Sequence, residues 1–283
     1  YGPILDNLEL GMYFVQQDIE GLDDRQAVGA EFRYFRPNQS FWGQIDYDTL
    51  FNELGSVFLQ GSLRFGSRFS LHGAYDRRHS PFLSTGNALI GQPVFEFAEL
   101  LDLFPVDEIK QLSFDRSPVS TTYSIGVSHS LSTKLQVSFD VNQTRVDPTP
   151  ESGGVAATPQ TEYKYYATNI VASSLLKEGD VTIVGLRFSD SGTAKVASIT
   201  LDSRYPIGRT WRLNPRLRVD RRERLVEPVY EWIYTPGIRI QYRRGQRLRI
   251  DFEAGRQISL RETEFANLDR ESYFINIGYQ LFF

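Results

Sequence analysis

The chain has 283 residues and a formal net charge of −4, with 15 tyrosines, 20 phenylalanines and no cysteine. The absence of cysteine excludes a disulfide framework and a thiolate metal site, and the acidic balance gives no electrostatic footprint for nucleic acid. Mean hydropathy is −0.34, and no run reaches the roughly 18 to 20 consecutive apolar residues of a spanning helix, so any membrane crossing must be made with strands.

The chain opens on Tyr1-Gly2-Pro3 without a charged region, an apolar run or a small-residue cleavage site. We therefore expect a leader removed before Tyr1, or a longer precursor of which residues 1–283 form the C-terminal part, a single barrel domain.

Period-two alternation recurs from end to end in segments of about ten residues, the pattern of a transmembrane barrel. It predicts strands over 8–18, 26–36, 40–50, 56–65, 68–78, 119–130, 134–145, 162–174, 180–189, 194–205, 210–222, 229–243, 246–259 and 271–283. Within 57–65, Val57, Leu59, Leu63 and Phe65 fall on one face, and Gln60, Ser62 and Arg64 on the other. Connectors alternate between tight ones, such as Gly66-Ser67 and Arg244-Gly245, and more polar ones at 19–25, 51–55, 79–118, 146–161, 190–193, 223–228 and 260–270. Short periplasmic turns and longer extracellular loops are the outer-membrane arrangement, and an even strand count puts both termini on the short-turn side. Tyr34, Phe41, Phe65, Phe69, Tyr205, Trp211 and Tyr242 lie beside tight turns, where amphipathic rings form an interfacial girdle. The expected fold is all-β, an antiparallel up-and-down barrel of about fourteen strands in the bacterial outer membrane, in contact with its lipid and lipopolysaccharide. Pro215 interrupts the strand over 210–222, where a bulge is expected to absorb its missing N–H.

The last strand puts Tyr273, Ile275, Ile277, Tyr279, Leu281 and Phe283 on one face and ends on Phe. This looks like the terminal signal read by the barrel assembly machinery, with Tyr279, Leu281 and Phe283 as its core. Further segments, Asp23-Asp24-Arg25-Gln26-Ala27-Val28-Gly29, 75–92 and Ser174-Leu175-Leu176-Lys177-Glu178-Gly179-Asp180, resemble the C-terminal barrel of large proteobacterial outer-membrane proteins with periplasmic tetratricopeptide repeats. That resemblance implies a translocation channel or anchor of an export or secretion protein, with a periplasmic repeat domain as partner and polysaccharide as a candidate cargo. A free-standing porin for small polar solutes is the alternative reading.

Alternation places many charges toward the lumen. The candidate path comprises Arg33, Arg64, Arg187, Arg204, Arg212, Arg216, Arg218, Arg239, Arg249, Asp251 and Glu253. Opposite charges on neighbouring strands can simply pair and stiffen the wall; alternatively the arginine-rich run contacts anionic or sugar-like cargo. The roughly 40-residue connector 79–118 is far longer than an ordinary loop. Residues 95–104 read as a short amphipathic helix followed by an acidic turn at Asp107-Glu108, a segment able to fold inward as a plug or constriction with Glu96, Glu99 and Asp102 toward the arginines, or to cap the barrel outside. His79-Ser80 with Asn87 invites comparison with lipid-modifying barrel enzymes, but adjacent residues at a strand end point apart. The expectation is therefore a non-enzyme without cofactor or metal.

Overall fold

A computed structural model describes residues 2–5, 7–226, 229–245, 247–262 and 267–281. Fifteen strands form one sheet in strictly sequential order: β1 (Gly2–Leu5), β2 (Leu8–Ile19), β3 (Leu22–Arg36), β4 (Gln39–Asp48), β5 (Glu53–Phe65), β6 (Phe69–His79), β7 (Val119–Ser130), β8 (Leu135–Val146), β9 (Thr161–Ser173), β10 (Val181–Asp190), β11 (Ala194–Ile207), β12 (Trp211–Arg224), β13 (Val229–Arg244), β14 (Leu248–Glu262) and β15 (Asn267–Leu281). The fourteen long strands are those expected from alternation, and four-residue β1 precedes them. Between β6 and β7 lie a 3-10 turn (Thr85–Leu89) and two helices, α1 (Phe97–Leu103) and α2 (Val106–Asp115).

Several polar connectors contract because the strands run into them. Loop 19–25 becomes the two-residue turn Glu20-Gly21, with φ of 47° and 79°. Two successive positive φ values make the turn whose twist matches a hairpin. Residues 51–55 shorten likewise, with Asn52 at φ 55° closing the β4–β5 turn. The bulge expected at Pro215 is absent. Asp202 faces Arg216 and Tyr205 faces Leu213, so the β11–β12 register does not shift across the proline. On the other side Pro215 pairs with Ile238 in a continuous ladder, whereas the β11–β12 ladder skips the pairs opposite Pro215 and Asn214 and resumes in the same register.

The chain divides into two compact units. The first comprises Tyr1–Phe65, Ser70–Ile125 and Asn142–Tyr163. Its apolar strand face exposes Met12, Phe14, Ile45, Leu59, Tyr123 and Ile125, and Tyr34 meets Phe41 at 6.1 Å between ring centroids beside a tight turn. A buried apolar cluster lies in the β6–β7 insertion, where Ala88, Phe97, Leu100, Ile109 and Leu112 pack with Ile19 and Leu22 from the β2–β3 hairpin. The second unit comprises Gly66–Phe69, Gly126–Val141 and Lys164–Phe283. It exposes Leu186, Ile199, Leu217, Trp232 and Ile250 on its apolar face, with Trp211 and Tyr242 at 4.7 Å beside their turns.

A water-soluble sheet would bury these side chains in a core, whereas in each unit the large apolar residues of successive strands stay exposed on one strand face. With no strand out of order and aromatic pairs at the turn ends, the chain is an antiparallel up-and-down β-barrel of the bacterial outer membrane.

Candidate functional site: the charged strand face

In the second unit, pairing fixes which residues share the polar face. Asp202 and Arg204 on β11 lie with Arg212, Asn214, Arg216 and Arg218 on β12, Arg239 and Gln241 on β13, and Arg249, Asp251 and Glu253 on β14. Alternation forces this: Leu213, Leu217 and Val219 take the opposite face of β12, as Ile238 and Ile240 do on β13.

Arg216 is the hub. Its Nη1 donates to Glu253 Oε1 at 3.0 Å, spanning from β12 to β14, and its Nε lies 2.9 Å from Asp202 Oδ2 without hydrogen-bond alignment. Arg239 Nη2 donates to Asp251 Oδ1 at 2.9 Å, and Arg249 Nε stands 2.9 Å from the other oxygen of the same carboxylate. Gln241 Nε2 adds a third donor to Asp251, at 3.0 Å. Arg218 pairs with Asp220 at 2.8 Å, and Asp220 also accepts from Ser198 Oγ. Arg216–Asp202 and Arg239–Asp251 join neighbouring strands as expected, whereas Arg218–Asp220 and Arg249–Asp251 each lie within one strand and Arg216–Glu253 skips one.

Pairing does not consume every cation. Arg204, Arg212, Arg216, Arg239, Arg243 and Arg249 line a cavity of about 310 Å³, with Asn214, Gln241 and Leu248 completing its wall. Arg204 and Arg212 are exposed and have no ion pair among the described residues. The Arg243 guanidinium donates to the Gly245 carbonyl at 3.1 Å and has no ion pair among the described residues. Five of these six arginines are among the candidate path residues read from the sequence. Arg243 has the parity of Arg239 and Gln241 and shares their face, at the end of β13 beside the turn at Gly245. Arg187 and Arg218 share the unit but do not line the cavity.

The first unit carries its own polar cluster. Tyr13 lies across Gly29, where a Cβ would stand 2.1 Å from its Cζ, so only glycine admits the ring. The Tyr13 hydroxyl donates to Asp46 Oδ2 at 3.1 Å and accepts from Gln44 at 2.7 Å, while Arg25 Nη2 donates to Asp46 Oδ1 at 2.9 Å. Arg33, expected on the path, stands 3.8 Å from Glu31, and Arg64 is exposed beside the Asn38 turn.

The insertion is tied to this cluster. The Phe82 ring lies under the guanidinium groups of Arg25 at 5.1 Å and Arg78 at 5.8 Å. Ser84 Oγ and Gly86 N donate to Asp24 Oδ1, each at 2.8 Å, and Thr85 Oγ1 donates to the Asp23 carbonyl at 2.7 Å. From the other side, Arg116 grips Ser152 and Gln92 Nε2 donates to the Gly153 carbonyl at 3.0 Å. Glu96, Glu99 and Asp102 lie exposed, with no ion pair among the described residues. Asp107 and Glu108, read from sequence as a turn, occupy the first turn of α2, where carboxylates oppose the positive helix end.

His79 and Ser80 do not form a base–nucleophile pair. His79 is buried, with Nδ1 2.5 Å from the Ser117 carbonyl and its ring against Phe114. Asn87 Nδ2 donates to Phe82 O at 2.6 Å and Ser117 Oγ at 2.8 Å, which fixes the loop. Of the expected terminal signal, Tyr279 and Leu281 are exposed on the apolar face of β15, and Phe283 lies outside the described residues.

No family model and no curated protein matches the chain. Among solved structures it is similar to OmpT, an outer membrane protein of Vibrio cholerae, at 10% identity and a TM-score of 0.42, over 96% of this chain and 94% of that one. It is also similar to a bacterial polysaccharide outer membrane secretin, at 9% identity and a TM-score of 0.47, over 99% of this chain and 88% of that one. Likeness at this level assigns no activity. The expectation of a non-enzyme is nonetheless withdrawn, because one architecture hosts many chemistries and a barrel fold by itself excludes no catalysis.

Proposed function

We propose that the chain is the outer-membrane translocation barrel of a larger export or secretion protein, with its polar strand face lining the path. The observation that carries this reading is the arginine-walled cavity on β11–β14, an aqueous, charged surface with guanidinium groups to spare. A wall needed only for stiffness would pair its charges. The insertion acts as a constriction: Phe82 seated over Arg25 and Arg78 draws its start across residues of the polar face, and Glu96, Glu99 and Asp102 remain open for contact. The resemblance to barrels that follow tetratricopeptide repeats supports a periplasmic repeat partner and polysaccharide as cargo. The aromatic face of β15 fits a strand handed to the barrel assembly machinery, with lipid and lipopolysaccharide around the apolar band.

Planar-bilayer recording of the purified protein, with and without residues 82–117, tests the reading. Steady conductance that rises when the insertion is removed supports a constricted path. Conductance unchanged by the deletion rules out the constriction, and a silent bilayer with folded protein in both cases rules out the path. A precursor that carries a leader directly before Tyr1 and no repeats would favour the free-standing porin.

A further inference from the structure

Resting on the reading of the polar face as a path, we propose that the β11–β14 cavity is a binding site for oxyanion groups, carboxylate or phosphate, carried by the passing solute. Six guanidinium groups line it, and no carboxylate belongs to the lining. The nearest carboxylates are already committed: Asp202 and Glu253 both to Arg216, and Asp251 to Arg239 and Arg249 together. Three anions thus serve three of the arginines, and Arg204, Arg212 and Arg243 keep their charge for a ligand.

The arrangement suits an anion better than a neutral sugar. A guanidinium presents donors only, in a planar fork that matches two oxygens of a carboxylate or phosphate. It has no acceptor for a sugar hydroxyl, and a neutral chain would bring no counter-charge to the three cations that lack an ion pair. The fixed pairs also orient the wall. Asp251 takes donors from Arg239 and Gln241 and holds Arg249 beside them, so β13 and β14 are cross-tied and the ligand meets a set surface. Because the arginines are partly exposed, attraction is screened by salt and exchange is fast enough for passage.

Isothermal titration of the detergent-purified protein tests the site independently of conduction. The probes are a linear oligogalacturonate, a linear polyphosphate and a neutral dextran oligomer. We expect one or both anionic probes to bind and the dextran not to, with affinity falling when salt rises from about 50 to about 500 mM. The probe that binds more tightly identifies carboxylate or phosphate as the group served. Arg204→Gln with Arg212→Gln weakens binding about ten-fold or more, the loss of two charged contacts. Asp202→Asn removes a competing anion and strengthens it several-fold, and this variant keeps the test decisive if the double variant does not fold. Absence of anion binding, equal binding of dextran, or affinities unmoved by the variants would overturn the proposal. A conducting protein without anion binding retains the path and loses the site; anion binding in a protein that conducts nothing retains the site and loses the path.

Discussion

Gly153 stands at φ +51°, and a Cβ there would lie 2.6 Å from Leu112 Cδ2. Both facts demand glycine, since a side chain would be strained by the backbone and would push α2 off the 147–160 hairpin. Gly153→Ala is expected to destabilise that contact by about 1 to 2 kcal/mol, read as faster proteolysis within 147–160 and no change in the strands. Asp180, in the turn between β9 and β10, accepts from the backbone N–H of Leu175, Leu176 and Lys177 at 2.9 to 3.0 Å. Burial opposes its ionisation, but the donors from Leu176, Lys177 and Leu175 outweigh that and hold its carboxyl below the usual carboxylate range. A depressed acid contributes stability that is present above the unfolded value and is lost as pH falls through the folded one. Protection of the 175–177 amides relative to their intrinsic exchange should therefore be high at neutral pH and fall in acid below the ordinary Asp range. Asp180→Asn should abolish that pH dependence; protection that persists undiminished in acid in the unaltered protein would contradict the assignment.

The insertion is the element whose stability is most separable from the sheet. Leu100 and Ile109 are fully buried there, in a cluster closed by Ile19 and Leu22. Leu100→Ala is expected to cost about 2 to 5 kcal/mol, borne by the insertion alone, so protease should cut within 90–115 while the strands remain protected. Simultaneous loss of sheet and insertion would show that the two are one cooperative unit. Strand existence and facing were legible in the sequence because a membrane strand writes its two faces as strict alternation, as 57–65 does. Strand ends were less so. Leu22-Asp23-Asp24-Arg25 reads as a polar loop, yet it is β3 running past the expected boundary, its polar groups taken up by Ser84, Thr85 and Gly86. Those partners lie about sixty positions away, and no local pattern announces them. The two helices were legible only in part: Phe97, Leu100 and Leu101 gave an apolar stripe for α1, whereas the acidic start of α2 after Pro105 mimicked a turn.

For the whole molecule, alternation placed the arginines of β11–β14 on one face, but which of them remain uncompensated depends on register. Arg216 faces Asp202 in the β11–β12 ladder and reaches Glu253 two strands away, while Arg204 and Arg212 meet no such partner. Side chains here are about a third exposed or more at Arg216 and its Asp202 partner, so each pair adds at most about 1 kcal/mol. Arg216→Gln should accordingly leave thermal unfolding in detergent nearly unchanged while altering single-channel current; a large loss of stability with unchanged current would make the wall structural. The central claim, an electropositive path across the outer membrane, is tested most directly by the reversal potential of the reconstituted protein under a potassium chloride gradient. Open current with a reversal potential displaced toward chloride, and moved back toward zero by Arg204→Gln with Arg212→Gln, is the predicted result. Cation selectivity, or no current from protein shown to be folded and inserted, would contradict it.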